Sequence, residues 1–198
     1  MSSIHQVPPS GPCNAHAFRL RPGDPLMSSL KDASEILFAR MDPSVSSSAF
    51  ILTAVGSLRD VTLRLANADA NSVGGKGGGG NDIRRWTERF EIVSLVGTFA
   101  RGGGVHIHAS LSDAKGHTIG GHLIEGTIFT TCEVVMGTAK GVSFSRELDE
   151  DTGFKELKVG GTDDKSFGVY FRLRGLSLVG LGMLIGAGFQ YGISKRRN

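Results

Sequence analysis

The sequence predicts an α+β fold in which a mostly antiparallel sheet packs around one principal helix, with a hydrophobic helix near the C-terminus. Three observations lead to this prediction. A single early segment has apolar residues at helical spacing, several short runs rich in β-branched residues alternate with glycine turns, and residues 175–193 carry no charge. With 198 residues, 39% of them apolar, and two cysteines, the chain is long enough for one packed domain and is not a disulfide-rich scaffold.

The principal helix is predicted to follow a first strand at His16–Arg21. The segment Gly23-Asp24-Pro25 supplies a turn, with Asp24 as the N-cap and Pro25 at the first helical position. The apolar stripe that follows runs to about residue 39 and consists of Leu26, Leu30, Ala33 and Leu37. Steps of four, three and four residues place these side chains on one helical face.

After the helix, the sequence changes to short strands. Residues 49–55 and 61–65 are predicted to form a hairpin around the turn-like segment 56–60. The other predicted strands are residues 90–99, 105–111, 117–123 and 128–136, and then a last hairpin of residues 143–147 and 154–159. The glycine-rich loop 71–81 lacks the Lys-Ser/Thr pair and the following helix of a phosphate-binding loop, so we interpret it as a flexible linker.

Four motifs occur in order along the chain: residues 55–64 (VGSLRDVTLR), 89–99 (RFEIVSLVGTF), 105–113 (VHIHASLSD) and 120–123 (GGHL). Together they resemble the PPC domain, the plant and prokaryote conserved domain. The resemblance covers roughly residues 14–160 and is closer to the stand-alone prokaryote-type members than to the plant AT-hook proteins. It implies a compact α+β domain that assembles as a homotrimer. It also implies metal binding by the His-x-His and Gly-Gly-His motifs, whereas the Arg-Gly-Arg-Pro core of a DNA-binding AT-hook is absent from this sequence.

The histidines of these motifs also predict a metal site from strand geometry. His106 and His108 are two residues apart, so on a strand both face the same side. A three-residue loop before His117, with Gly116 in the left-handed conformation, places His108 opposite His122. A five-residue loop places His106 opposite His122, and loops of two or four residues turn His122 to the other face.

Three imidazoles on one face can hold a zinc ion and leave a fourth coordination position open. The sequence therefore predicts His106, His108 and His122 as zinc ligands. The alternative is that they are partly exposed histidines bonded to neighbouring backbone or carboxylate groups.

The sequence does not identify a catalytic residue. Glu88, Glu91 and Glu125 are candidates for acid–base chemistry, but each also fits an ordinary surface or ion-pairing role. Cys132 lies in an apolar strand, as expected of a buried thiol. Enzymatic activity is therefore left undecided.

The charge of the chain is concentrated at its C-terminal end. From residue 165 onward there are six basic residues and no acidic ones, whereas residues 1–164 hold 16 basic and 19 acidic residues. The body therefore lacks the basic surface typical of nucleic-acid binding, and we do not expect it to bind nucleic acid.

The uncharged stretch at residues 175–193 is long enough, as a helix, to span a bilayer core of about 30 Å. We predict a transmembrane tail anchor there, followed by a basic tail at 194–198. The predicted organisation before this anchor consists of a flexible arm (1–14), the PPC-like domain (15–160) and a linker (161–174). The domain then faces the cytosol, and the short span with basic flanks is typical of the mitochondrial outer membrane. A buried strand or a loose tail is the alternative.

These observations predict a homotrimeric, zinc-binding PPC-like module that is anchored to a membrane by its C-terminus and acts as a binding or assembly domain. One alternative is a soluble DNA-associated regulatory protein of the cytoplasm or nucleus. The other is a metal-dependent hydrolase.

Overall fold

The computed structural model describes residues 8–43, 46–66 and 82–161. In these residues the elements are β1 (Cys13–Leu20), α1 (Leu26–Ala39), β2 (Ser48–Arg64), β3 (Ile83–Trp86), β4 (Phe90–Ala100), β5 (Gly104–Ser112), β6 (Thr118–Ala139), β7 (Val142–Leu148) and β8 (Lys155–Gly161). Six strands form one antiparallel sheet in the order β1-β6-β5-β4-β2-β3, and β7 and β8 form a separate pair.

Two long strands close the main sheet on itself. β6 pairs with β5 on one side and also with β2, so β2, β4, β5 and β6 form a closed ring. The sequence predicted each of the long strands as two shorter ones, and this was wrong. Segment 56–60 does not turn: it continues β2 along β6 through register shifts between Gly56 and Leu58 and between Leu58 and Asp60. Such β-bulges bend a strand without ending it.

Helix α1 contributes the expected apolar face to the core. Of the predicted stripe, Leu26 and Leu30 are fully buried and Ala33 and Leu37 are partly buried, while Phe38, which the stripe did not include, is 1% exposed. The predicted end at Ala39 is confirmed. The predicted cap was wrong, because Pro25 occupies the N-cap position and the Asp24 carboxylate instead accepts a hydrogen bond from the backbone N–H of Arg21 at 2.8 Å.

Side chains distant in sequence, one from β6 and one from the turn between β4 and β5, contact the two ends of α1. At its N-terminus, the backbone N–H of Met27 donates to Oε1 of Glu125 in β6 at 2.9 Å. Near its C-terminus, Nη2 of Arg101 donates to the carbonyl oxygens of Phe38 at 2.7 Å and Met41 at 3.2 Å. These contacts pair groups that a helix leaves unpaired at its ends, and they attach α1 to the sheet.

The predicted fold class requires correction. The described residues form a mostly antiparallel sheet with a single 14-residue helix, and the strands are longer than predicted. No C-terminal hydrophobic helix is found among them. No helix within the described ranges has the length and apolar character needed to cross a membrane. The predicted span at 175–193, the basic tail and the loop 71–81 lie outside those ranges. The proposed anchor, and the cytosol-facing or mitochondrial membrane location derived from it, are therefore withdrawn.

Candidate metal centre

The hairpin between β5 and β6 brings the three histidines to one place. The loop at residues 114–116 has three residues, Gly116 adopts a φ of 82°, and the backbone N–H of Asp113 donates to the carbonyl of His117 at 2.9 Å. His108 is consequently the direct cross-strand partner of His122. The predicted register is confirmed.

His106, His108 and His122, here called the histidine cluster, offer three ring nitrogens within 4.8 Å of one another. The Nε2 atoms of His106 and His108 lie 3.0 Å apart, and the three pairs of ring centroids are separated by 4.9, 5.1 and 5.6 Å. Two nitrogens bound to one tetrahedral zinc ion lie about 3.3 Å apart. The cluster therefore has nearly the spacing that a shared metal ion requires.

The cluster lies on the sheet face opposite the core. Ile107, between the two histidines of β5, is fully buried, and Leu123, next to His122, is 1% exposed. Because successive side chains of a strand point to opposite faces, the histidines point away from this apolar layer. His108 is exposed, and the other two are partly buried.

The surroundings of the cluster favour uncharged imidazoles. Burial lowers the pKa of His122 to about 4, and the positive charges of Arg64 and the neighbouring histidines and Arg146 act in the same direction. Burial also lowers the pKa of His106, with further contributions from His108 and Arg146. At neutral pH these rings are therefore in the form that can bind a metal ion.

The residues present fit a zinc ion. Nδ1 of His122 is buried, and no described group forms a hydrogen bond with it. Neutral imidazole is a preferred ligand of zinc, and sites with three protein ligands keep a position for an exogenous group. Within the described ranges the cluster forms no hydrogen bond to a carboxylate, and His106 and His108 bond to each other.

Two arginines border the histidine cluster. Arg64 of β2 is the cross-strand partner of His122. Arg146 of β7 donates a hydrogen bond from Nη2 to Oγ1 of Thr98 at 2.9 Å, and Thr98 is the cross-strand partner of His106. Sequence reasoning missed both arginines. Alternation along β2 predicts that Arg64 faces the cluster only when the register shift between Thr62 and Leu63 is known. For Arg146, nothing in the sequence indicates where β7 packs.

The other sequence candidates lie outside the cluster. Oε1 of Glu125 accepts hydrogen bonds at the start of α1 and from the N–H of Gly126, and Glu88 and Glu91 are exposed. Cys132 is buried, as expected, and burial raises the pKa of its thiol to about 11. The side chain of His117 is 75% exposed beside Asp113. None of these groups adds a ligand to the site.

Comparison with protein families shows a match of the Plants and Prokaryotes Conserved (PCC) domain to residues 9–140. Among curated proteins, the chain is similar to the bifunctional protein GlmU of Synechococcus sp. (strain JA-3-3Ab), with 37% identity over 152 residues. The match covers 76% of this chain and 21% of that protein. The chain thus spans about a fifth of the length of the curated relatives it matches.

Solved structures share the fold. A hypothetical protein from Salmonella cholerae-suis matches with a TM-score of 0.65 and 29% identity, over 78% of this chain and 99% of its own. The metal-containing protein AF0104 from Archaeoglobus fulgidus has a TM-score of 0.56 at 24% identity, with coverages of 73% and 93%. A protein from Ralstonia eutropha, described only as a proposed DNA-binding protein, has a TM-score of 0.56 at 19% identity, with coverages of 72% and 89%.

Proposed function

Because the chain belongs to the Plants and Prokaryotes Conserved (PCC) domain family, we propose that it acts as a metal-binding module that holds a zinc ion with His106, His108 and His122. The observation that carries this proposal is the convergence of three ring nitrogens within 4.8 Å on one sheet face. The metal-containing protein of Archaeoglobus fulgidus, which shares the fold, supports it.

The chain's own residues would do two things at this site. The two histidines of β5 and the one of β6 would hold the ion, and the hairpin loop would fix their mutual register. When bound, zinc supplies a Lewis acid that attracts an exogenous ligand. No described carboxylate forms a hydrogen bond or an ion pair with the cluster, so nothing beyond the three histidines favours the hydrolase alternative, and we propose a binding module.

The zinc proposal is tested by metal analysis of the full chain after loading with zinc and desalting. We expect about one zinc ion per chain in the wild type. His106→Ala, His108→Ala and His122→Ala should each lose at least about 90% of it, because a site with two ligands binds weakly. His117→Ala is the matched control, since that side chain is 75% exposed outside the cluster. A wild type without zinc, or cluster variants that retain it, would overturn the proposal.

We further propose that the protein assembles as a homotrimer, as resemblance to the family implies. Val55 of β2 and Val93 of β4 support this, because they lie on neighbouring strands and are 58% and 61% exposed. Grouped exposed apolar side chains are typical of surfaces that another chain covers.

DNA association is the second candidate function. It is supported by the fold shared with the Ralstonia eutropha protein, whereas the excess of acidic residues in positions 1–164 opposes it. Binding of the full chain to duplex DNA at low and physiological salt tests this candidate. Affinity that falls steeply with salt would favour it, and a failure to bind at low salt would reject it.

A further inference from the structure

The surroundings of the histidine cluster are strongly cationic. Arg64 is the cross-strand partner of His122, and Arg146 donates to Thr98, the cross-strand partner of His106. Among the described acidic groups, Glu156 of β8 is the one that acts electrostatically on Arg146. A divalent ion placed here would therefore add two charges to a site with two guanidinium groups and one nearby carboxylate.

Among the described residues, both guanidinium groups have hydrogen-bond donors that find no acceptor. Nη2 of Arg146 donates to Oγ1 of Thr98 at 2.9 Å and Nη1 to the carbonyl of Lys155 at 3.5 Å, while its buried Nε has no partner among the described residues. The Arg64 guanidinium lies 5.8 Å from the centre of the Phe154 ring, and the described residues provide no hydrogen-bond acceptor for it. An arginine with free donors, held beside a metal site, is suited to bind an oxyanion.

Backbone packing keeps Arg146 in this position. A Cβ at Gly104, two residues before His106, would lie 2.7 Å from Cγ of Arg146. The missing side chain thus lets the aliphatic part of Arg146 pack onto the start of β5. Beside the cluster, an open groove of about 270 Å³ is lined by Val96, Gly97, Thr98, His106 and His108. This groove gives a small ligand access to the exposed ring of His108.

We propose that the histidine cluster, with Arg64 and Arg146, binds a small oxyanion (a carboxylate or a phosphate group) next to the metal ion. This inference rests on the proposed zinc site and adds the chemical class of the ligand. Three protein ligands leave one coordination position for the anion. The guanidinium groups supply hydrogen bonds and compensate its charge, and the anion in turn reduces the repulsion between the ion and the two arginines.

The test uses the full chain loaded with cobalt(II), whose visible absorption bands report the ligands of the ion. Acetate and phosphate are titrated separately, and acetamide serves as an uncharged ligand of the same shape as acetate. We expect saturable band shifts with the anions and none with acetamide. The oxyanion with the lower dissociation constant identifies the ligand as a carboxylate or a phosphate.

Arg64→Gln and Arg146→Gln should each raise the dissociation constant for the preferred anion about tenfold, because each removes a charge-assisted hydrogen bond. Arg85→Gln is the matched control, since Arg85 is 68% exposed and pairs with Asp60 at 3.9 Å, outside the cluster. Cobalt content should be unchanged in all three variants. Equal shifts with acetate and acetamide, or unchanged anion affinity in both cluster variants, would overturn the inference and leave the metal site standing. A wild type that binds neither cobalt nor zinc would instead reject the proposed function itself.

Discussion

The half-buried imidazole of His122 links the site to the stability of the fold. Its pKa is about 4 in the folded protein, against an ordinary value of 6.5. Between these two pH values the unfolded chain binds more protons than the folded one. In the metal-free protein, His122 therefore contributes a loss of unfolding free energy as the pH decreases through this interval. His106, whose pKa is also lowered, contributes in the same direction.

We accordingly expect His122→Gln to reduce the loss of stability between about pH 7 and about pH 5, because glutamine cannot take up a proton. Urea unfolding in the presence of a chelator measures this loss at both pH values. The assignment fails if His122→Gln and the wild type lose the same free energy.

At the scale of elements, Glu125 attaches α1 to β6. Its Oε1 accepts hydrogen bonds from the backbone N–H groups of Met27 at 2.9 Å and Gly126 at 2.8 Å. Glu125→Ala leaves the N–H of Met27 without an acceptor, and we expect it to lower the free energy of unfolding by about 1–2 kcal/mol. Glu125→Gln keeps an acceptor oxygen and should recover most of the loss. Urea unfolding compares both with Glu91→Ala, an exposed control that should stay near the wild type.

Elements determined by local sequence could be predicted, whereas those determined by pairing could not. The apolar stripe of α1 and the Asp113–Gly116 turn are local signals, and both match the structure. Segment 56–60 has the composition of a turn, yet it stays extended because it pairs with β6. Oγ of Ser57, for example, lies 2.7 Å from Oγ1 of Thr130, 73 residues away. Spacing within one segment carries no information about such a partner.

The same distinction applies to the site. The cluster could be predicted because its three histidines belong to one hairpin, whose register depends on a short loop. Arg64 and Arg146 belong to strands far away in sequence, and their approach depends on closure of the sheet and on the packing of β7. The three histidines could therefore be predicted from the sequence, whereas the two arginines beside them could not.

At the scale of the whole molecule, closure of the sheet creates the site. The residues that meet there come from β5, β6 and β2 of the ring, and β7 adds Arg146 from outside it. The metal site and the anion site would thus depend on the complete domain. The exposed valines of β2 and β4 are the proposed contact surface of the homotrimer.

If these valines form the trimer contact, the wild type should have about three times the mass of one 20.9 kDa chain in light scattering. Val93→Asp places a charge on a side chain that is 61% exposed in the single chain. It should therefore yield monomers without unfolding the domain, because burying an unpaired charge in a contact costs far more than leaving it in water. Ile36→Asp is the matched control on α1, where an apolar side chain is 55% exposed away from these strands, and it should remain trimeric. A wild type with the mass of one chain would contradict the trimer, and a Val93→Asp variant that stays trimeric would contradict this choice of surface.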